Sequence, residues 1–305
     1  MKQPIVVAGA TGNLGGRIVR ELLKKEANVR VLVRPGSDRE RVANLQKEGA
    51  VVITIRSWNV AELTEACRGA ACIVSALSGL HDVVVDAQKV LLDAAVNANV
   101  LRFIPSDFSI DFTRLPAGRN RNLDLRREFH TYLDKAPIAA TTIFNGAFAE
   151  LLTGDMPLVL FKLKQILYWG NADQRMDFTT MDNVATFTAN AALDPTTPRY
   201  LHIAGDQISA RQLVPVAGEV TGTKFSLLRP GGLGLLSMLI KIARTVAPGG
   251  NDLYPAWQGM QYMRDMLDGR AEMKTLDNNR YPGIKWTTAR DVLAAHQVVQ
   301  KSTMK

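Results

Sequence analysis

Cysteine is nearly absent. Cys67 and Cys72 are the only two in 305 residues. That excludes a disulfide-stapled scaffold, and a structural zinc site needs more ligands than this. Both thiols are expected to stay reduced. The four histidines are scattered without metal-ligand spacing, so no metal is expected. Long apolar runs are missing too. "LGLLSMLI" (Leu233 to Ile240) falls far short of the roughly 20 residues that cross a bilayer. "MKQPIVVAGATG" leads straight into a strand pattern with no apolar leader or cleavage site, and a soluble, cytoplasmic protein is expected. Internal repeats and low-complexity tracts are absent. Acidic residues are in the minority, 29 against 37 Lys and Arg, for a formal charge of +8. The basic residues are spread along the chain. The densest group, "RNRNLDLRR" (Arg119 to Arg127), is short and interrupted, and no helix-turn-helix or basic stripe accompanies it. Neither nucleic acid nor a membrane is expected as a partner. A positive field of this kind suits a small polyanion.

What is present is a rhythm. Apolar β-rich runs alternate with helical periodicity through "IVVAGA", "NLGGRIVRELLKKE", "VRVLVR", "SDRERVANLQKEG", "AVVITI", "VAELTEACRG", "ACIVSAL", "DVVVDAQKVLLDAAVNAN" and "VLRFIP". Ser37 reads as the cap of the second helix, with Glu40 completing a capping box, and Gly49 ends it. A repeated βα pattern means a parallel sheet covered on both faces. The fold class expected is α/β, a Rossmann-type doubly wound parallel sheet with a smaller, mostly helical C-terminal lobe. After Pro105 the rhythm breaks into a long irregular stretch, of the kind that is usually functional. A helix from Leu123 and a strand over 138–144 follow. The expected division is 1–150 for the sheet domain, completed by parts of 165–205, and 151–305 for a smaller, discontinuous lobe. In "MDNVATFTANAAL", Asp182 and Val184 read as a helix cap and its core face.

Gly9, Gly12 and Gly15 form G-x-x-G-x-x-G between the first strand and the first helix. The spacing suits a pyrophosphate. Gly9 permits the tight turn, Gly12 the close approach of backbone to phosphate, and Gly15 close packing of helix on strand. The tip of the second strand chooses the cofactor. An Asp or Glu there accepts from a ribose 2′-hydroxyl; this chain has Arg34, which can fork onto a 2′-phosphate. Ser37 and the helix behind it add donors. A charge-assisted bond of about 1.5–3 kcal/mol favours NADP(H) over NAD(H) by roughly ten- to a hundredfold.

"GATGNLGG", "VLVRP" and "RFIPSDF" together resemble the NmrA-like and isoflavone-reductase-like group, atypical short-chain dehydrogenase/reductases that bind NADP(H). "RYPGIKWTTARDVL" is similar to the "YP-x-x-K-[FY]-T-T" stretch closing the isoflavone-reductase-like members. The resemblance runs from the first strand to about Leu293. It implies that Gly9, Thr11, Gly12, Asn13, Leu14 and Gly15 surround the pyrophosphate and that Arg34 meets the 2′-phosphate. It implies Ser75, Ala76 and Leu77 along the adenosine half, and Pro105, Ser106 and Phe108 near the nicotinamide ribose. Asn145 and Phe148 would edge the nicotinamide and, with Phe108, the substrate pocket.

Two positions depart from the group's pattern. Members often carry Asp after the third strand, where this chain has Arg56, either a second anchor for an anionic cofactor or a surface change. The group's reductases use a lysine on the helix after the "PS-x-F" loop, and that position falls on Arg126. Arginine cannot shuttle a proton, but it can stabilise a developing oxyanion. Proton delivery would then fall to His130, Tyr132 or water. Tyr281 and Lys285 have Tyr-x-x-x-Lys spacing, yet Pro282 and Gly283 between them argue against a helix. The function expected is NADPH-dependent reduction of a small aromatic or enone-like molecule. The alternative is a non-enzymatic NADP(H) redox sensor acting through a regulatory protein partner. A homodimer also stays open.

Overall fold

The computed structural model describes residues 3–154 and 156–303. Six strands, β1 (Ile5–Ala8), β2 (Val29–Val33), β3 (Val51–Thr54), β4 (Cys72–Ser75), β5 (Arg102–Ile104) and β6 (Ala139–Ala140), pair in parallel in the order β3-β2-β1-β4-β5-β6. The chain builds outward from β1 to β3, then crosses back to start β4 on the other side of β1. That reversal leaves a crevice at the C-terminal ends of β1 and β4, the customary ligand position in such sheets. The helices α1 (Asn13–Lys24), α2 (Arg39–Lys47), α3 (Val60–Cys67), α4 (Gln88–Asn97) and α5 (Arg121–Leu133) make the crossovers. The strands are short and almost wholly apolar because both faces are covered.

The strand expected over 138–144 is divided. β6 pairs with β5, whereas β7 (Thr142–Phe144) pairs with β12 (Tyr200–His202). Thr141 is the joint. Its N–H donates to Phe103 O at 3.0 Å, and its hydroxyl donates to Pro198 O at 2.9 Å. The sheet is thereby continued by a strand from much later in the chain. Between them, β8 (Ala147–Phe148), β11 (Arg175–Thr179) and β13 (Asp206–Ser209) form one small sheet. A second contains β9 (Val159–Leu160), β10 (Gln165–Leu167) and β14 (Ser226–Leu228). The lobe is completed by α7 (Ala210–Thr221), α8 (Leu233–Val246), α9 (Ala256–Leu267) and α10 (Ala289–Thr303). It therefore carries more strand than its sequence pattern indicated.

Helix α6 (Met181–Leu193) returns to the main sheet and lies against α1. Val184 and Phe187 of α6 share one core cluster with Val7, Ile18, Val19 and Val31. On the opposite face, Ala8, Ile73, Leu91, Phe103 and Phe129 form a second cluster. A third fills the lobe. The C-terminal segment is clasped to α6 by one buried amide. Asn183 Nδ2 donates to Lys285 O at 2.9 Å, and Asn183 Oδ1 accepts from Thr287 N at 2.9 Å.

Three local expectations are corrected. Ser37 does not cap α2: its hydroxyl accepts from Arg34 N at 3.2 Å within the preceding turn. Asp38 is the cap, accepting from Arg41 N at 3.0 Å. Asp182 does not cap α6 either. Thr180 Oγ1 accepts from Asn183 N, while Asp182 points outward to pair with Arg17. The helix expected over 82–99 opens with a π-helical turn, Asp82–Ala87. There the buried Gln88 side chain donates to Val84 O at 2.6 Å and accepts from Ser106 N at 3.0 Å. A side-chain amide inserted in the ladder is a recognised cause of such a turn.

Candidate functional site

The glycine loop lies where the strand order reverses. Gly9 has φ +82°, and a Cβ there would fall 2.5 Å from Ala76 O, so the loop and the end of β4 are in direct contact. A Cβ on Gly15 would fall 2.2 Å from Gly9 O. Gly12 donates its N–H to Gly9 O at 3.0 Å and occupies the N-cap of α1 with no side chain covering the first-turn amides. No acidic residue stands in that turn. Open amides at the positive end of a helix form an anion site. Beside the loop a cleft of about 510 Å³ is lined by Ala10, Thr11, Asn13, Arg17, Arg20 and Arg41.

Arg34 is exposed at the tip of β2. The sequence reading missed its neighbour Arg41, whose Nη1 donates to Thr11 O at 2.8 Å and so bridges the tip of α2 to the glycine loop. Its position three residues after the Asp38 cap was the available signal. Arg56 is exposed beyond β3. Its backbone N–H and that of Ser57 donate to the Glu62 carboxylate, which they hold below the usual range. Ser75 is fully buried, and its hydroxyl finds no hydrogen-bond partner among the described residues. Ser106 Oγ donates to Leu77 O at 2.6 Å, tying the turn after β5 to the end of β4.

Asp107, next to Ser106 in "PSDF", was also missed, although it lay inside a quoted motif. It is fully buried. Its Oδ2 accepts from Thr142 Oγ1 at 2.8 Å and from His130 Nε2 at 2.6 Å. Arg199 Nη2 meets His130 Nδ1 at 3.2 Å. An arginine only donates, so Nδ1 is the acceptor and Nε2 carries the hydrogen, an assignment made from the partners. His130 is thus buried with both ring nitrogens engaged, rather than standing on a helix surface. Burial pushes the Asp107 carboxyl up, but His130, Thr142 and Arg126 outweigh it and hold it below the usual carboxylate range.

Arg126 sits one turn before His130 on α5, half-buried. Its Nη1 donates to Asn122 O at 2.8 Å, while Nε finds no acceptor among the described residues. It acts electrostatically on Asp107 on one side and on Tyr262 of α9 on the other. Asn145, at the end of β7, is fully buried with Oδ1 unpartnered among the described residues. Gly146 beside it has φ +68°, and a Cβ there would fall 2.2 Å from Asp177 O. Phe108 is buried in the cluster beneath α6, and Phe148 is half-buried against it. Tyr132 lies on the outer face of α5 under the Lys89 ammonium, which is 3.7 Å from its ring centroid. Tyr281 is not on a helix; its hydroxyl donates to Asp194. No group of three or more His, Cys, Asp or Glu among the described residues could hold a metal ion, and no helix there is long and apolar enough to cross a membrane.

Residues 1–230 match the sequence model of the NmrA-like family. The chain belongs to that family. This NmrA-like chain is 31% identical over 238 residues to pinoresinol reductase 2 of Arabidopsis thaliana, covering 72% of this chain and 75% of the relative. It is 31% identical over 213 residues to pinoresinol reductase 1 of the same plant, covering 64% of this chain and 66% of that protein. Among solved structures, AtPrR2 with NADP+ and (+)-pinoresinol superposes with a TM-score of 0.82 at 22% identity, covering 97% of this chain and 99% of that one. The leucoanthocyanidin reductase–NADPH complex from Vitis vinifera gives 0.78 at 17% identity, covering 97% and 99%. The NmrA-like chain shares their fold.

Proposed function

We propose that this protein is an NADPH-dependent reductase of a small aromatic or enone-like substrate. The observation that carries the reading is the packing of the uncapped glycine loop against Ala76 at the reversal of the sheet. It forms a cradle for backbone amides and a diphosphate, which a Cβ at Gly9 or Gly15 would fill. NADPH bound there supplies a hydride. Gly9, Thr11, Gly12, Asn13, Leu14 and Gly15 take the diphosphate. Arg34, with Ser37 and Arg41, takes the 2′-phosphate. Ser75, Ala76 and Leu77 follow the adenosine half, and Pro105 and Ser106 the nicotinamide ribose. Asn145, Phe108 and Phe148 border the reacting end. Arg126 stabilises charge that develops on a substrate oxygen. We assign His130 to positioning, since it holds Asp107 and has no free nitrogen.

The relatives support the reading: those described above are named reductases, and two are solved with NADP+ or NADPH. The sensor alternative draws nothing from them. The test is NADPH oxidation, followed by nicotinamide absorbance, against aromatic ketones, enones, quinones and pinoresinol-type lignans, with matched NADH runs. Turnover with NADPH preferred supports the reading. Tight NADPH binding with no turnover across the panel overturns it.

A further inference from the structure

The reductase reading leaves one role unfilled. Hydride addition to a conjugated carbonyl puts an electron pair on oxygen, and that oxygen needs a proton. His130 has both nitrogens engaged within the buried Asp107–Arg199 network. Tyr132 faces away, beneath Lys89. Arg126 holds its protons at any working pH.

Helix α9 offers another donor. It packs across the first turn of α5, with Gln258 Nε2 donating to Asn120 Oδ1 at 2.8 Å and Gln261 Oε1 accepting from Arg121 N at 3.1 Å. Asp265 Oδ2 accepts from Asn120 Nδ2 at 3.1 Å. Tyr262 follows Gln261 on this helix. The groups acting on its phenol are Arg126, Asn122, Tyr254 and Asp265. Asn122 and Arg126 are one turn apart on α5, joined by the bond from Arg126 Nη1 to Asn122 O. Arg126 in turn acts on Asp107, at the end of β5. The line Asp107–Arg126–Tyr262 therefore runs from the sheet edge into the lobe. Among the described residues Arg126 has no carboxylate within ion-pair distance, and its Nε has no acceptor. Its charge is thus free to act on an oxygen at this point.

We propose, resting on the reductase reading, that Tyr262 is the proton donor of the reductive step and that Arg126 stabilises the phenolate it leaves. As hydride reaches the electrophilic carbon, the carbonyl π pair moves to oxygen, and the Tyr262 Oη–H proton completes the O–H bond. Tyr262 then regains a proton from solvent. Burial pushes the phenol up to about 12, with Arg126 and Asn122 pulling the other way, so it is protonated and able to donate at neutral pH. The arrangement is a tyrosine beside a fixed cation, assembled from two helices instead of one.

The probe is 4-dimethylaminocinnamaldehyde, a conjugated aldehyde whose absorption moves to longer wavelength when its oxygen is hydrogen-bonded or faces a cation. It is added to the protein with and without NADP+, and NADP+ affinity is measured separately by calorimetry. The wild type is expected to red-shift the bound probe. Tyr262→Phe should retain binding within about threefold and lose most of the shift; Arg126→Met should lose part of it. With NADPH and the same aldehyde, Tyr262→Phe should lower kcat by about 10²–10⁴-fold with KM little changed, and Arg126→Lys should recover part of the Arg126→Met loss. Matching thermal melts establish that the variants are folded. A probe that does not shift in the wild type overturns the proposal, as does a shift that survives Tyr262→Phe. Failure of NADP+ to bind overturns the cofactor reading instead, and the cofactor-free spectra still decide the role of Tyr262.

Discussion

At the residue scale, charge decides most of what this site can select. Arg34→Ala should weaken NADP+ binding by roughly ten- to a hundredfold, the loss of a charge-assisted bond of about 1.5–3 kcal/mol, and leave NAD+ binding unchanged. Calorimetry with both nucleotides checks it. Asp107 makes a second case. Its folded carboxyl lies below the ordinary value of 3.8, so the stability it contributes is fully present above that value and fades as pH falls through the lowered one. The wild type should therefore lose stability steeply below about pH 4. Asp107→Ala should be weaker at pH 7 by about 3–5 kcal/mol and should show a shallower acid limb in urea titrations. Asp177 has the opposite sign. Burial pushes its carboxyl up, so it favours the fold at lower pH and ceases to as pH rises through its raised value. Single residues were unevenly legible. Gly9, Gly15 and Arg34 announce themselves because backbone freedom and charge at a strand tip are local properties. Asp107 and Tyr262 do not, because their meaning comes from partners 23 and 136 positions away, His130 and Arg126 respectively.

At the element scale, the glycine loop and the helix it opens act as one unit. Gly15→Ala puts a methyl group 2.2 Å from a backbone oxygen that cannot step aside, whereas Gly16→Ala meets Ala10 O at 3.2 Å. The first should cut NADP+ affinity at least tenfold; the second should be nearly neutral in affinity and in melting temperature. Helix α7 starts with a full capping box, in which Ser209 Oγ accepts from Gln212 N and Gln212 Oε1 from Ser209 N. Ser209→Ala should cost about 1 kcal/mol of unfolding free energy. The first five strands and the crossover helices were readable because hydrophobic period and caps are written within each segment. The division at Thr141 was not, since it depends on which neighbour each half-strand finds. The π-helical turn before α4 was hidden for the same reason: Gln88 reads as an ordinary helical residue until Ser106 and Val84 are brought to it.

At the scale of the whole molecule, the crevice stands between a sheet domain and a lobe, and ligand that fills it should stabilise both together. NADP+ at 100 times its Kd should add about 2.7 kcal/mol and raise the melting temperature by several degrees, with NAD+ at the same concentration giving much less. The exposed side of α8 carries Leu235, Met238, Ile242 and Val246, so solubility should depend on this helix more than on the sheet domain. Leu235 and Met238 replaced by Gln should reduce aggregation on heating without altering NADP+ binding.

The clasp of α6 over α1, and the pairing of β7 with β12, bear on how a ribosome can deliver this protein. When the first 150 residues have emerged, the nascent chain has β1, β2 and β4 in hand but nothing to cover Val7, Ile18 and Val31 on one side, and β7 has an unsatisfied edge. Closure waits for residues 181–202. Until then the growing chain exposes a sticky apolar face, and its need for chaperone shelter should peak over that interval of synthesis. A fragment ending at 150 should be recovered aggregated, and one ending at 205 should be the shortest to gain a protease-resistant sheet.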